Sequence, residues 1–222
     1  MQKYAQAGFG IGILTKLGSF CVSHLGFAGP ERCGSMAGHS AHRRGGQDVQ
    51  DMQQRYGLRK VFFIDNGFNV PLPHAKELCQ ALLAAHVKGA LEHLSGPLGC
   101  DRELIGLMKQ AGCALVLMGG MRGDPHDMAP CLGERVVPML ETRHLCEEQD
   151  LHYTLAVAFG EPGETRATVE EKLDFLRSIK PAIANLRIGV NILPGTPIAA
   201  RALAEGRITD EAELIKPTFL SG

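Results

Sequence analysis

Six short runs of apolar residues constrain the fold of this chain more than any other feature of its sequence. They cover residues 11–16, 60–66, 90–94, 114–119, 153–160 and 187–193, and turn-forming residues followed by a helical pattern come after most of them. Apolar runs that lack polar alternation and end at turn residues are typical of strands buried on both faces of a parallel sheet. The sequence therefore predicts alternating β-strands and α-helices.

Three of the intervening helices have clear boundaries. Residues 74–85 carry an apolar face, residues 101–112 begin at an Asp that can cap a helix, and residues 168–179 open with Thr and end before a proline. Weaker patterns predict two more helices, at residues 50–56 and 139–149. Each of the three clear helices leads into a predicted strand, as a crossover between parallel strands requires.

Six such units predict one domain over residues 1–222 that folds as a partial (β/α)6 parallel barrel. The prediction allows for a barrel that is incomplete in this chain. A doubly wound open sheet is the alternative, and the periodicity of the sequence does not separate the two. In both folds the functional loops follow the C-terminal ends of the strands. Candidate binding residues are therefore sought in those loops.

Charge and cysteine content exclude several classes of protein. The formal net charge is -1, so no broad positive field favours nucleic acid or an anionic membrane as a partner. The seven cysteines form no CxxC pair, which argues against a disulfide scaffold and for a reducing compartment. The first residues resemble neither a signal peptide nor a membrane span. We expect a cytoplasmic protein that acts on a small molecule; its oligomeric state is not readable from the sequence.

Glycine-rich and amide-rich turns follow four of the predicted strands, and the 27 glycines exceed the usual share of roughly 7%. Such turns either let a ligand approach the backbone or serve only as turns and helix caps, and both interpretations stay open. The candidate binding residues are Asp65 and Asn66 after the second strand, Gly119 and Gly120 after the fourth, Gly160 and Gly163 after the fifth, and Asn191, Pro194, Gly195 and Thr196 at the sixth.

The motifs that mark common nucleotide-binding or hydrolytic sites do not occur in the sequence. A P-loop, a GxGxxG fingerprint, a GxSxG elbow and an HExxH helix are all absent. The nine histidines are scattered, and none has the spacing of a closed zinc site. Ordinary nucleotide-binding, hydrolase and zinc-protein functions are therefore disfavoured.

Seven segments follow one another in a characteristic order. They are GILTKLG, YGLRKVFFIDNGFNVPLPHAKELCQAL, DRELIGLMKQAGC, FGEPGETRATVEEKLDFL, IGVNILPGTP, ALAEGRI and KPTFLS. Together they resemble the radical S-adenosylmethionine superfamily, especially members that carry a cobalamin-binding domain ahead of the barrel. The resemblance covers residues 10–16 and nearly everything from residue 49 onward, and it implies a six-stranded partial βα barrel, in agreement with the strand count.

The resemblance also implies a chemistry. In that superfamily three cysteine thiolates, in a C-x3-C-x2-C loop after the first strand, hold a 4Fe-4S cluster with one open iron. Bound S-adenosylmethionine is reductively cleaved to methionine and a 5′-deoxyadenosyl radical, which abstracts hydrogen from the substrate. By resemblance, the methionine moiety would lie near Asp65 and Asn66, the ribose near residues 119–123 and the adenine near residues 191–196.

The sequence departs from the superfamily at the cluster loop. Where the resemblance calls for Cys-Pro-Phe-x-Cys-x-x-Cys, the chain has Ser19, Phe20 and then Cys21, the one cysteine in that vicinity and the one metal-ligand candidate. Cys33 lies too far along the chain to complete the pattern. One thiolate cannot hold the cluster in the family manner, so whether this chain is an enzyme stays open. Cobalamin would need a domain outside this sequence.

Residues 19–48 are atypical for the superfamily, and we hypothesise that they contain an out-of-frame stretch. Codons that can encode residues 42–48 give Ile-Glu-Glu-Val-Val-Lys when read one base later, which is the amphipathic helix start expected there. Reading the gene in all three frames tests the hypothesis, which fails if the shifted frames contain neither a cysteine motif nor that helix.

Two functions from different classes follow. The first is a radical S-adenosylmethionine enzyme, fragmentary or degenerate, that is related to cobalamin-dependent radical methyltransferases and rearrangement enzymes. The second is a noncatalytic barrel that binds an adenosyl or other small ligand without a cluster. A conventional cofactor-free barrel enzyme is a third reading, for which the sequence offers no acid–base pair.

Overall fold

Strands and helices alternate along the chain, as the sequence predicts. The computed structural model describes residues 11–13, 15, 42–58, 60–63, 68–69, 71–87, 90–95, 100–121, 136–160, 163–192, 194–215 and 219–220. Its elements in chain order are β1 (Ile11–Ile13), α1 (His42–Tyr56), β2 (Lys60–Phe63), α2 (Leu72–Ala84), β3 (Ala90–Ser95), α3 (Arg102–Gln110), β4 (Cys113–Met121), α4 (Val136–Glu148), β5 (His152–Phe159), α5 (Arg166–Ile179), β6 (Ile183–Ile188), β7 (Val190–Asn191), α6 (Pro197–Ala204), a 3-10 helix (Glu211–Ile215) and β8 (Phe219–Leu220).

The first six strands form one parallel sheet in which the spatial order is the same as the sequence order. A doubly wound sheet reverses its strand order at a switch point, and this sheet has no such reversal. The doubly wound alternative is therefore disfavoured, since consecutive order is how strands follow one another around a βα barrel. Strands β7 and β8 pair antiparallel in a separate sheet of two strands.

The hydrophobic core lies between the sheet and its helices. Val116 and Met118 of β4 and Leu155 and Val157 of β5 alternate with residues of the other face, and all four are almost completely buried. They pack in one cluster with apolar side chains of the helices. Burying each side chain of this size stabilises the fold by about 1.5–3 kcal/mol.

Strand β6 forms an exposed edge of the sheet. It pairs with β5 on one side, and no described strand pairs with its other side. All six of its residues are exposed, including Leu186 at 55% and Ile188 at 82%. Helix α6 packs instead into a second apolar cluster, with Ile198 and Ala202 against Leu214. In the described part of the chain, this end of the sheet therefore lacks helical cover.

Two strand predictions were wrong in position. The sixth strand was expected at residues 187–193, but β6 ends at Ile188 because Gly189 turns the chain with a φ of 88°. Asn191 therefore lies on β7, where it pairs with Phe219. Gly119 and Gly120 were expected in a loop and instead lie within β4, where the register with β5 shifts between Met118 and Met121. Glycine within a strand commonly marks such an irregularity.

Four of the five predicted helices begin earlier than predicted, and the start is informative in two of them. Helix α5 begins at Arg166, because Thr165 is its N-cap and Thr168 is only the capping partner. Helix α1 begins at His42, within the atypical residues 19–48. A Cβ at Gly46 would come within 2.5 Å of the carbonyl oxygen of Ala81, so this glycine permits close packing of α1 on α2. The packing of α1 does not test the hypothesis that residues 19–48 contain an out-of-frame stretch, which stays a prediction.

Helix length bears on membrane association. Among the described residues, every helix is too short or too polar to cross a bilayer.

Candidate functional site

The sequence-predicted site residues fall into described and undescribed groups. Asp65, Asn66 and Cys21 lie outside the described residues, so the roles expected for them stay predictions. The glycines of β4 and the turns after β5 and β6 are described. All of these described positions lie at the C-terminal ends of neighbouring strands of the parallel sheet, or in the segments that follow.

The turn between β5 and α5 is held by a buried ion pair. Lys172 of α5 reaches the Glu164 carboxylate, and its Nζ also donates to the carbonyl oxygen of Ala158 at 3.0 Å. The second carboxylate oxygen of Glu164 accepts the backbone N–H of Gly160. The Glu164 carboxylate therefore fixes the turn between β5 and α5.

Sequence reasoning missed Lys172, although a signal was present. Lys172 occupies the apolar stripe of α5 with Leu176 and Ile179, at the spacing of one helical face. Its side chain is 1% exposed, and its Nζ lies 5.5 Å from the centre of the Phe159 ring. A lysine on a buried stripe requires a partner, and that requirement points to a nearby carboxylate.

Two of the candidate segments meet at the end of β5. The backbone N–H of Gly189, which follows β6, donates to the carbonyl oxygen of Phe159 at 2.8 Å. Gly160 has a φ of 82°, and a Cβ there would lie 3.2 Å from the Gly189 nitrogen. Gly163, in the same turn, has a φ of 86°. Glycine is therefore required at residue 160 both by backbone conformation and by the close approach of the neighbouring strand.

Polar atoms of the turn before α6 are already engaged in the fold. The Gly195 N–H donates to Oε2 of Glu211 at 2.8 Å, and Pro194 precedes it in an exposed turn. Thr196 is the N-cap of α6, and its Oγ1 accepts the Ala199 N–H at 3.3 Å. A ligand at Gly195 would have to replace the Glu211 carboxylate. This contact could not be predicted from the sequence, because 16 positions separate the two residues.

Two of the four described cysteines have strongly shifted pKa values. Burial raises the pKa of the Cys79 thiol to about 12, and burial, together with Cys100 and Glu147, raises that of Cys146 to about 12. Both thiols are therefore protonated at neutral pH, whereas the thiolate is the metal ligand. Among the described residues, no group of three or more His, Cys, Asp or Glu side chains could hold a metal ion.

Comparisons with known proteins give a consistent picture. No protein-family model matches the chain. Tryptophan 2-C-methyltransferase of Streptomyces laurentii is 26% identical over an alignment of 228 positions, gaps included. The alignment covers 92% of this chain and 36% of that protein. The structure of the radical S-adenosylmethionine methyltransferase TsrM from Kitasatospora setae, with cobalamin and a [4Fe-4S] cluster bound, matches with a TM-score of 0.79 at 21% identity. That match covers 91% of this chain and 38% of the other.

A more distant solved structure has the same fold. Methylornithine synthase matches with a TM-score of 0.57 at 12% identity, over 84% of this chain and 55% of that one. The chain spans a little over a third of the length of the two methyltransferases.

Proposed function

We propose that this chain, which is related to the radical S-adenosylmethionine enzymes of the cobalamin-associated type, is a partial (β/α)6 barrel domain over residues 1–222 that binds S-adenosylmethionine. The ligand would lie at the C-terminal edge of the parallel sheet, where such folds place their binding sites. The observation that carries the proposal is the turn after β5, whose glycines are fixed beside the end of β6 by a buried ion pair.

The fixed turn suits a nucleoside ligand for a physical reason. Gly163 has no side chain, so a ligand can approach its backbone closely. The Lys172–Glu164 pair holds the turn in one conformation, which lowers the ordering cost of binding. From the family resemblance, we place the adenine near residues 191–196, the ribose near Gly119 and Gly120, and the methionine moiety near Asp65 and Asn66.

The 4Fe-4S cluster does not fit the residues of this chain in the family manner. The cluster needs three thiolates in a C-x3-C-x2-C pattern, whereas the segment between β1 and α1 has two cysteines, Cys21 and Cys33, that are too far apart for that pattern. Cys79 and Cys146 are buried, protonated and remote from that loop in sequence. We therefore derive no reaction step through a cluster, and the proposed function is binding. No residue of this chain is assigned to cobalamin.

A second candidate function is a cluster-dependent enzyme. Cys21 favours it, because the cysteine follows β1 as the cluster loop does in the superfamily. The substrate would then be a small molecule; the methyltransferase from Kitasatospora setae has also been solved with its tryptophan substrate and an analogue of S-adenosylmethionine.

Anaerobic iron–sulfur reconstitution separates the two functions. We expect the wild-type chain to bind S-adenosylmethionine in equilibrium dialysis before reconstitution, and to hold no stoichiometric iron or sulfide afterwards. The matched variants are Cys21→Ala and Cys79→Ala. Stoichiometric iron that is lost in Cys21→Ala but kept in Cys79→Ala would establish the enzyme and overturn the cluster-free assignment.

A further inference from the structure

One face of β5 points away from the helices. Tyr153 marks the helix side, because its hydroxyl donates to the carbonyl oxygen of Ile179 in α5 at 2.9 Å, and Leu155 lies in the core on that same side. Side chains alternate along a strand, so Thr154, Ala156 and Ala158 project from the opposite face. Two of these three side chains are single methyl groups, which leaves room above the strand.

Strand β6 places two polar side chains beside that room. Ala156 pairs in register with Asn185, and Ala158 pairs with Arg187. Paired residues of neighbouring strands project from the same face, so Asn185 and Arg187 lie on the side away from the helices. Both are exposed, and they are roughly 7 Å apart along the strand. An amide and a guanidinium therefore border the space above the two alanines.

Arg187 lacks the nearby carboxylate that most other arginines in the described part of the chain have. Five described arginines have a carboxylate oxygen within 3.0 Å, in the pairs Arg102–Glu148, Arg143–Glu147, Arg166–Glu170, Arg177–Asp174 and Arg201–Glu205. Arg187 has no such partner among the described residues. It also lies two positions before Gly189, which bonds to the end of β5 beside the candidate turn. A free bidentate donor therefore adjoins the proposed binding site.

A buried hydroxyl on the same face adds an independent observation. Thr154 is 2% exposed, and its Oγ1 has no hydrogen-bond partner among the described residues. A buried hydroxyl without a partner costs free energy unless a bound group satisfies it. In register, Thr154 lies opposite Ile183, two positions from Asn185 along β6. The face therefore offers a hydroxyl, an amide and a guanidinium on two adjacent strands.

We propose that Asn185 and Arg187 bind the carboxylate of a small molecule on this face of the sheet. The planar guanidinium matches the two oxygens of a carboxylate, and the amide of Asn185 can bond to a neighbouring polar group of the same ligand. This inference rests on the proposed function, because it places the carboxylate beside the turn that receives the adenosyl group. We assign the carboxylate to a substrate amino acid, because the methionine moiety of S-adenosylmethionine, which carries its carboxylate, is placed near Asp65 and Asn66, after a different strand.

Ligand pairs that differ in the carboxylate test the proposal. L-tryptophan is compared with tryptamine, and S-adenosylmethionine with 5′-methylthioadenosine, which lacks the amino-acid portion. Because the chain contains no tryptophan, the fluorescence of the indole ligands reports binding without a background from the protein. The nucleosides are measured by equilibrium dialysis. The variants are Arg187→Met and Arg187→Lys, with Arg55→Met as the control at a second exposed arginine.

In Arg187→Met we expect about a tenfold or greater weakening for L-tryptophan, with tryptamine, S-adenosylmethionine and 5′-methylthioadenosine unaffected. Arg187→Lys should recover part of the lost affinity, since lysine keeps the positive charge but not the two parallel N–H donors of the guanidinium. Arg55→Met should bind as wild type. Weaker binding of S-adenosylmethionine, with binding of L-tryptophan unchanged, would contradict the assignment to a substrate amino acid. Circular dichroism and the thermal midpoint verify that each variant is folded.

Unchanged binding of L-tryptophan in folded Arg187→Met would overturn the inference, as would a wild-type chain that does not bind L-tryptophan. The proposed function fails separately. If wild type does not bind 5′-methylthioadenosine while Arg187→Met still weakens L-tryptophan, the adenosyl assignment is wrong and the carboxylate site stands.

Discussion

The Nζ of Lys172 lies 2.5 Å from Oε1 of Glu164, in an ion pair whose side chains are only 1% and 6% exposed. Removing two charges from water is costly, and it is offset only when both charges are fully bonded. Here Lys172 also bonds to the carbonyl oxygen of Ala158, and Glu164 also bonds to the N–H of Gly160. The pair therefore joins the end of β5 to α5 and fixes the intervening turn.

Replacing one partner of this pair should destabilise the fold strongly. In Lys172→Met the Glu164 carboxylate stays buried without a counter-charge, so we expect a loss of about 3–5 kcal/mol in the free energy of unfolding, measured by urea titration. The double variant Lys172→Met/Glu164→Leu should recover part of that loss. Lys60→Met, at an exposed lysine of β2, is the control. A loss in Lys172→Met no larger than the control's would contradict this account of the turn.

Gly160 should tolerate a side chain less well than another glycine of similar conformation. Gly57 also has a positive φ, of 65°, but an added Cβ there meets nothing within 4 Å. We expect Gly57→Ala to cost roughly 1–2 kcal/mol from backbone strain alone, and Gly160→Ala to cost more because its Cβ also presses on Gly189. Thermal unfolding of both variants measures the difference. Equal losses would show that the approach of Gly189 does not constrain the turn.

The carboxylate of Asp101 should make stability depend on pH. Burial by itself raises its pKa, but hydrogen bonds from the Lys76 ammonium and the Leu104 N–H outweigh that effect and hold the pKa below its usual range. A lowered folded-state pKa means that the stabilisation is present above the unfolded pKa of about 3.9 and is lost as the pH falls through the folded value. The contribution is small, because the side chain is 43% exposed.

Asp101→Asn keeps a capping oxygen but removes the titration. In urea unfolding between pH 6 and pH 2, chosen to span about two units on either side of the unfolded pKa, stability should fall less steeply for Asp101→Asn than for wild type. Parallel curves for the two proteins would show that the charge of Asp101 does not contribute.

The buried thiols should be unreactive in the native chain. Burial raises the pKa of Cys79 and of Cys146 to about 12, so their thiolate fraction at neutral pH is negligible. Iodoacetamide followed by peptide mass spectrometry should label Cys100, which is half-buried, well before either of them. In urea all three should react alike. If Cys79 or Cys146 is labelled in the native chain as fast as Cys100, its thiol pKa is not raised by burial, and that cysteine becomes a candidate metal ligand.

The sequence was informative where the fold follows its general rules. Strands such as β4 and β5 are buried between helices and neighbouring strands, so their apolar runs could be recognised. Strand β6 was misplaced because an exposed edge strand need not be apolar, and Asn185 and Arg187 interrupt its pattern. The apolar residues after Gly189 looked more like a strand than β6 itself does.

At the candidate site, the turns could be predicted from the sequence, but the side-chain contacts that hold them could not. Gly160 and Gly163 mark a turn in the sequence, since positive φ values favour glycine. The contacts that hold such turns involve partners distant in sequence, as Glu211 shows at Gly195. The burial of Lys172 could have been predicted from its place on an apolar stripe, but its ion pair with Glu164 is visible only in the structure.

Binding of S-adenosylmethionine to the iron-free wild-type chain tests the central claim most directly. Anaerobic equilibrium dialysis against labelled S-adenosylmethionine should give saturable binding of one ligand per chain, and 5′-methylthioadenosine should compete for it. No saturable binding by a chain that circular dichroism shows to be folded would contradict the account.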